Sequence, residues 1–268
     1  MASSNKGKTK CRPKKSGSPD AWERIYTAAP SEKRSKVFWM GVVSENPATL
    51  VCVPEEFRDV CMCSVAVASC GWMLTCVPEP LRTEGMCMSA VGNDGMALQF
   101  VPATVITPEM CRLAVMRSGQ ALHFVPFSML NRELCLLAVK ALGRALEYVP
   151  EPFRDAEVCL AAVMRCGAAL EHVPAERQTE DICLGAVLQD GLALRFATIR
   201  TLRVCRAAIE SAGMALQWVP AQLRDEGLCR RAMLKSVMAG KHVPPHLYSK
   251  IVNEGFRQPV DAQEPVPA

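Results

Sequence analysis

The chain has 268 residues, half of them apolar, with 31 Lys or Arg, 27 Asp or Glu and 14 cysteines. That apolar content supports a large core, while the lack of any apolar run of about 18 residues argues against a membrane-spanning helix. Residues 1–36 hold ten of the basic and three of the acidic side chains, so the remainder, with 21 and 24, is close to neutral and lacks the basic excess of a nucleic-acid track.

Residues 1–34, which begin MASSNKGKTKCRPKKSGSP, are rich in Ser, Gly, Pro and Lys and read as a disordered basic tail. The tail lacks the apolar stretch of a cleaved export signal. In a bacterium, such a start would suit an effector exported without one. From residue 35 a 24-residue period takes over. Val-Pro recurs at Val53, Val77, Val101, Val125, Val149 and Val173, fails at Ala197, and resumes at Val219 and Val243 after two residues are lost. Cysteine keeps the same beat at Cys63, Cys87, Cys111, Cys135, Cys159, Cys183, Cys205 and Cys229, with Trp39 in that place in a leading unit. A fixed period in this range is the mark of a solenoid.

Each unit opens with Ser35, Asp59, Thr83, Thr107, Asn131, Asp155, Thr179, Thr201 or Asp225, four residues before the Cys or Trp. These side chains can accept from the free N–H groups of a first helical turn. Pro108 and the early glutamates Glu84, Glu109, Glu133 and Glu157 fit the same start. An apolar residue before each cysteine, alanine three after it and Val, Ile or Met next form one helical stripe. Gly71, Gly95, Gly119, Gly143, Gly167, Gly191 and Gly213 stand where a left-handed C-cap is expected, which predicts helices of about 11 residues. The remaining "AL-x-x-VP" segment has room for a short α or 3₁₀ turn. The fold class expected is therefore all-α, an α-solenoid of about nine 24-residue units over residues 35–254, each one α-helix plus a short α/3₁₀ turn. Residues 255–268 read as a second disordered tail.

Candidate chemistry is sparse. Eight cysteines lie on the core stripe, where helices about 8–10 Å apart cannot bring Cα atoms within the roughly 7 Å a disulfide needs. They read as buried thiols in a reducing, cytoplasmic compartment. The other cysteines form no C-x-x-C pair, and the two prolines between His242 and His246 prevent a shared helical face, so no metal site is expected. No phosphate loop, nucleophile elbow or carboxylate pair is present, so neither catalytic residues nor a cofactor are expected. A ladder of Phe100, Phe124, Tyr148, His172, Phe196, Trp218 and His242 precedes Val-Pro or its equivalent. It reads as core packing, with base stacking as the alternative. Opposite the core stripe, Leu136, Leu160, Met164, Leu184 and Leu188 recur in adjacent units, with Met116 and Leu234 further along and Arg112, Arg206 and Arg230 toward the ends. Contiguous apolar surface of this kind marks a partner-binding face, unless the short helices are covered on both sides by neighbouring layers, in which case the same residues form a buried layer.

The consensus T/D-x-E-x-C-x-x-AV-x-x-x-G-x-AL-x-x-VP-x-x-L, seen in TPEMCRLAVMRSGQALHFVP and DAEVCLAAVMRCGAALEHVP, resembles a family of short helical repeats catalogued as a domain of unknown function. That family occurs in bacteria, protists and giant viruses. The resemblance spans about residues 35 to 248; it implies a helical repeat fold and no activity. Val237 in the glycine position suits a capping unit. The function expected is a non-enzymatic protein–protein interaction scaffold with a protein partner. The alternative is a nucleic-acid-binding repeat protein using the basic tail and the aromatic ladder, although nucleic acid suits the near-neutral repeat body poorly.

Overall fold

A computed structural model describes residues 35–254; the tails expected at 1–34 and 255–268 lie outside the described residues. Among the described residues the structure is all-α, with ten α-helices and no strand, and no helix is long and apolar enough to cross a membrane. The described residues divide into two compact units, residues 35–106 and 107–254. The first contains α1 (Lys36–Glu45), α2 (Val60–Ser69) and α3 (Glu84–Asn93). The second contains α4 (Pro108–Arg117), α5 (Arg132–Ala141), α6 (Ala156–Arg165), α7 (Glu180–Gln189), α8 (Leu202–Ser211), α9 (Glu226–Lys235) and α10 (Pro245–Glu254).

The repeat grammar acts locally. Every predicted N-cap, from Ser35 to Asp225, accepts through its side-chain oxygen from the N–H three residues on; Asp155 Oδ1 receives Val158 N–H at 2.9 Å. Each of α1 to α9 then runs ten residues and stops where a C-cap residue turns extended, as Cys166 does at φ −152°, ψ 109°. The Cys166 N–H still donates to Ala162 O at 2.9 Å, closing the last turn. A six-residue 3₁₀ helix follows, such as Gly167–His172, longer than the three or four residues usual for that form. After it come Val-Pro and, in most units, a second 3₁₀ helix of three residues such as Glu151–Phe153. This short helix is missing after Val101, after Ala197, where two residues are lost, and after Val243, where α10 follows directly.

The expected left-handed cap is not what the glycines supply. None of Gly71, Gly119, Gly143, Gly167, Gly191 and Gly213 has a positive φ. Each starts a 3₁₀ helix, and its role is to let a neighbouring helix approach. A Cβ on Gly143 would lie 2.5 Å from the Ala162 carbonyl oxygen and 2.8 Å from Cys166 Cβ. Gly71, Gly119, Gly167, Gly191 and Gly213 meet Ala90, Ala138, Ala186, Ala208 and Ala232 in the same way, at 2.3 to 2.7 Å. Glycine and alanine are thus two halves of one contact between successive repeats. The two-residue loss before Cys205 is absorbed in the loop, and the Gly191–Ala208 approach survives it. At Val237 the pattern lapses, and that side chain is 83% exposed.

The core is a run of layers. From α5 come Leu134, Cys135, Ala138 and Val139; from the following 3₁₀ helix Ala145 and Leu146; then Val149. All seven are buried, and equivalent sets recur in the neighbouring repeats. One short helix cannot hide such a stripe by itself, so stability comes from stacking.

Candidate functional site

The outer surface of α4 to α7 collects the apolar residues singled out in the sequence. Leu160 is 39% exposed, Met164 51% and Leu188 61%, with Met116 of α4 at 57%. Leu136 and Leu184 are half-buried and form the floor of the stripe rather than its crest. The centre lies flat for a local reason. Gly185 of α7 has no side chain, and a Cβ there would come 3.1 Å from Met164 Sδ and 3.7 Å from Leu160 Cδ1. Its absence lets the two α6 side chains lie over the seam between α6 and α7.

Between α4 and α5 the same surface opens into a groove of about 450 Å³, with Leu134, Leu136, Leu137 and Met129 on its walls and Glu109, Arg112, Glu133 and Lys140 among the polar residues around it. The first helical position differs from helix to helix along this surface. On α5 that residue is Arg132, which pairs with Asp155 at 2.5 Å and with Glu157, tying α5 to α6. On α7 it is Glu180, which accepts from Thr201 Oγ1 at 2.6 Å. On α4 it is Pro108, which lines the groove, and on α6 it is Ala156, also without reach.

Charges flank the apolar stripe along α4 to α7. Glu109, Glu133, Glu157 and Asp181 are exposed at the N-terminal ends of the helices and Arg117 and Arg165 at the C-terminal ends of α4 and α6, while exposed Lys140 of α5 interrupts the stripe in the register of Met116 and Met164. Arg206 and Arg230 take the Leu160 position in α8 and α9, Arg206 exposed and Arg230 buried against Glu226 (2.8 Å) and Glu254 (2.9 Å).

The cysteine ladder is internal. All eight repeat cysteines are free and buried. Burial pushes their thiols up from the ordinary 9, to about 11 at Cys135 and Cys229. Cys159 Sγ donates to Arg154 O at 3.5 Å, and Cys205 Sγ to Arg200 O at 3.7 Å. These are packed, protonated groups and not nucleophiles. Among the described residues no group of three or more His, Cys, Asp or Glu is placed to hold a metal ion.

The aromatic ladder is half-buried throughout. Trp72 packs edge-on against Phe100 at 5.1 Å, and Arg195 covers the Phe196 ring at 4.2 Å. Its backbone carries a feature that sequence reasoning missed. Arg154, just before the N-cap, donates from Nε to Val149 O at 2.7 Å and from Nη1 to His172 O at 3.1 Å. It thereby staples the 3₁₀ helix of one repeat to that of the next. Arg58, Arg82, Arg200 and Arg224 do the same for Cys76, Phe100, Trp218 and His242, and Gln178 does so for Phe196. The signal was present as R-D or R-T ahead of the helices. Ile106 and Leu130 interrupt it. Across the seam that Leu130 leaves without a staple, the His123 and Tyr148 rings meet at 5.0 Å.

The family model described as a domain of unknown function (DUF4116) matches residues 107–154 and again residues 131–178. Both windows start at an N-cap, Thr107 or Asn131, and end at a staple position, Arg154 or Gln178, so each takes in two whole repeats. Residues 107–178 are thus built from repeats matching a family of unknown function. No curated protein and no solved structure matched the chain.

Proposed function

We propose that this chain, whose central repeats match a family of unknown function, is a non-enzymatic scaffold that binds a protein partner through the outer face of α4 to α7. The observation that carries this reading is the exposure of Leu160, Met164 and Leu188 on the adjacent helices α6 and α7, with Met116 of α4 in the same register beyond Lys140. Large aliphatic side chains in contact with water and ringed by charge are how binding patches are commonly built. Each helix already buries its own stripe of Cys, Ala and Val, so the outer residues are not needed to close the core.

The nucleic-acid alternative gains less support. The aromatic rings are half-buried against one another or under Arg195, and the exposed residues just before them include Glu147 and Glu171 as well as Arg195 and Lys241. A surface of mixed sign gives little of the counterion release that drives binding to phosphate chains.

The test is a double variant, Leu160→Lys with Leu188→Lys. Partner capture from the native host should be lost while the helical circular dichroism and the melting temperature stay near wild type. A collapse of the helical signal, or capture that continues unchanged, defeats the reading.

A further inference from the structure

Resting on that reading, we propose that the seam between α4 and α5 binds an arginine side chain of the protein partner, with its guanidinium held by the backbone carbonyls of Val125 and Tyr148. The chain itself shows what such carbonyls accept. At Arg58, Arg82, Arg154, Arg200 and Arg224 a guanidinium just before the N-cap bridges the equivalent pair. Arg224, for example, links Val219 O and His242 O at 2.9 and 3.0 Å. Leu130 stands in that place between α4 and α5. Its side chain ends at Cδ, where an arginine continues through Nε and Cζ to its donors. Among the described residues nothing donates to the carbonyl of Val125 or Tyr148. The backbone is nonetheless aimed as in the stapled repeats. Val125 has φ −72° and ψ 127°, against −75° and 122° at Val149 and −71° and 129° at Val219. Two such carbonyls suit the planar fork of an arginine better than the point charge of a lysine.

The place can be reached from outside. In a stapled repeat Arg154 Nη2 points to the carbonyl of exposed Glu147 at 3.4 Å, and His123, exposed as well, is the counterpart of Glu147 at this seam. The same loop carries a second departure from the repeat. Phe127 stands where the second compact unit otherwise has Glu151, Ala175 and Ala221, and it is 73% exposed. Leu130 N–H donates to its carbonyl at 3.2 Å, so both residues belong to one turn. A guanidinium stacks on an aromatic face, as Arg195 already does on Phe196. The groove is the third feature. Met129 and Asn131, on either side of Leu130, line it together with Leu134, Leu136 and Leu137. Glu109 and Glu133 lie in the first turns of α4 and α5 and favour a cation at this end, whereas Arg112 lies further along α4 and Lys140 in the last turn of α5. An arginine suits all three features: an aliphatic stem for the apolar walls, and a flat cationic head for the ring and the carbonyls.

The experiment titrates the full chain with N-acetylarginine amide or N-acetyllysine amide and reads the backbone carbonyl carbon-13 shifts by NMR. The arginine amide should shift Val125 and Tyr148 and leave the stapled Val149 and His172 unmoved. It should bind about tenfold more tightly than the lysine amide. Leu130→Arg installs a staple within the chain and should abolish both this response and capture of the host partner. Leu130→Met adds no donor and should keep both. Phe127→Ala, a change at an exposed side chain, should weaken binding of the arginine amide about two- to fivefold. Equal response to the two amides, equal shifts at the stapled carbonyls, or capture that survives Leu130→Arg overturns the proposal. A response seen only in a variant with Arg12→Gln, Arg24→Gln, Arg34→Gln and Arg257→Gln gives the site to the chain's own arginines and overturns it too. If neither amide shifts Val125 while capture still depends on Leu160 and Leu188, the arginine site fails and the scaffold reading stands. If capture does not depend on those leucines, the scaffold reading fails and the partner assignment with it.

Discussion

Cys135 and Cys159 occupy the same place in adjacent repeats, and one contact separates them. Cys159 Sγ has Arg154 O as an acceptor at 3.5 Å. Cys135 is raised to about 11 by burial alone. A serine at 135 buries a hydroxyl without a sure partner, so Cys135→Ser should cost about 1–3 kcal/mol. Cys159→Ser should cost less, because its hydroxyl inherits the Arg154 carbonyl. Urea unfolding of the two variants measures the difference. The ladder also has a pH consequence. A thiol raised in the fold keeps its proton where the unfolded chain has lost it. Its stabilising contribution is complete below about pH 9 and fades between about 9 and 11. Stability should therefore fall over that alkaline window, and fall less in a Cys135→Ala, Cys229→Ala variant. The staple is the other residue-scale device. Arg154→Lys keeps the charge but loses the planar fork that reaches two carbonyls, and a loss of about 1.5–3 kcal/mol in chemical denaturation is expected.

At the scale of the helix, glycine has opposite meanings at different positions. Gly85 lies inside α3, and a Cβ added there would meet nothing within 4 Å, so Gly85→Ala should stabilise by about 0.4–1 kcal/mol. Gly143→Ala drives a methyl group against the Ala162 carbonyl and should destabilise by about 1–3 kcal/mol or more. Thermal melts of the pair should move in opposite directions. Val237→Gly, at the repeat position where the side chain is 83% exposed, should change little. Caps act at the same scale: Asp155→Ala removes the acceptor for Val158 N–H and should lower stability by about 0.5–2 kcal/mol.

At the scale of the molecule, the second compact unit holds seven of the described helices. A chain beginning at Thr107 should therefore keep a cooperative denaturant transition and a helical circular dichroism spectrum. A broad, non-cooperative melt of that fragment would contradict this. Within this unit the last helix, α10, is fastened differently from the others. It buries Ile251 and is tied to α9 by Lys250 with Glu226 (2.7 Å) and by Glu254 with Arg230 (2.9 Å). The apolar side chains Leu234, Met238, Tyr248 and Val252 stay exposed around it. The proposed partner face on α4 to α7 lies away from this ion-paired end, on the repeats that match the family model.

The sequence by itself determined the period, the helix starts, the burial of cysteine, alanine and valine, and the all-α class. Each of these follows from local chemistry: an oxygen four residues before Cys135 caps a helix, and apolar residues at 3.6-residue spacing make one face. What only the tertiary structure decided are properties that depend on the next repeat. The reason for Gly143 is the carbonyl of Ala162, nineteen residues away, and a left-handed turn would have left the same letter in the sequence. Arg154 reads as an ordinary surface cation until His172 O is seen within its reach. Leu136 and Leu160 look alike in register, yet one lines the groove between α4 and α5 and the other lies across the gap at Gly185. Helical spacing gives the side on which a residue falls; how deeply it lies is set by the neighbour packed against it.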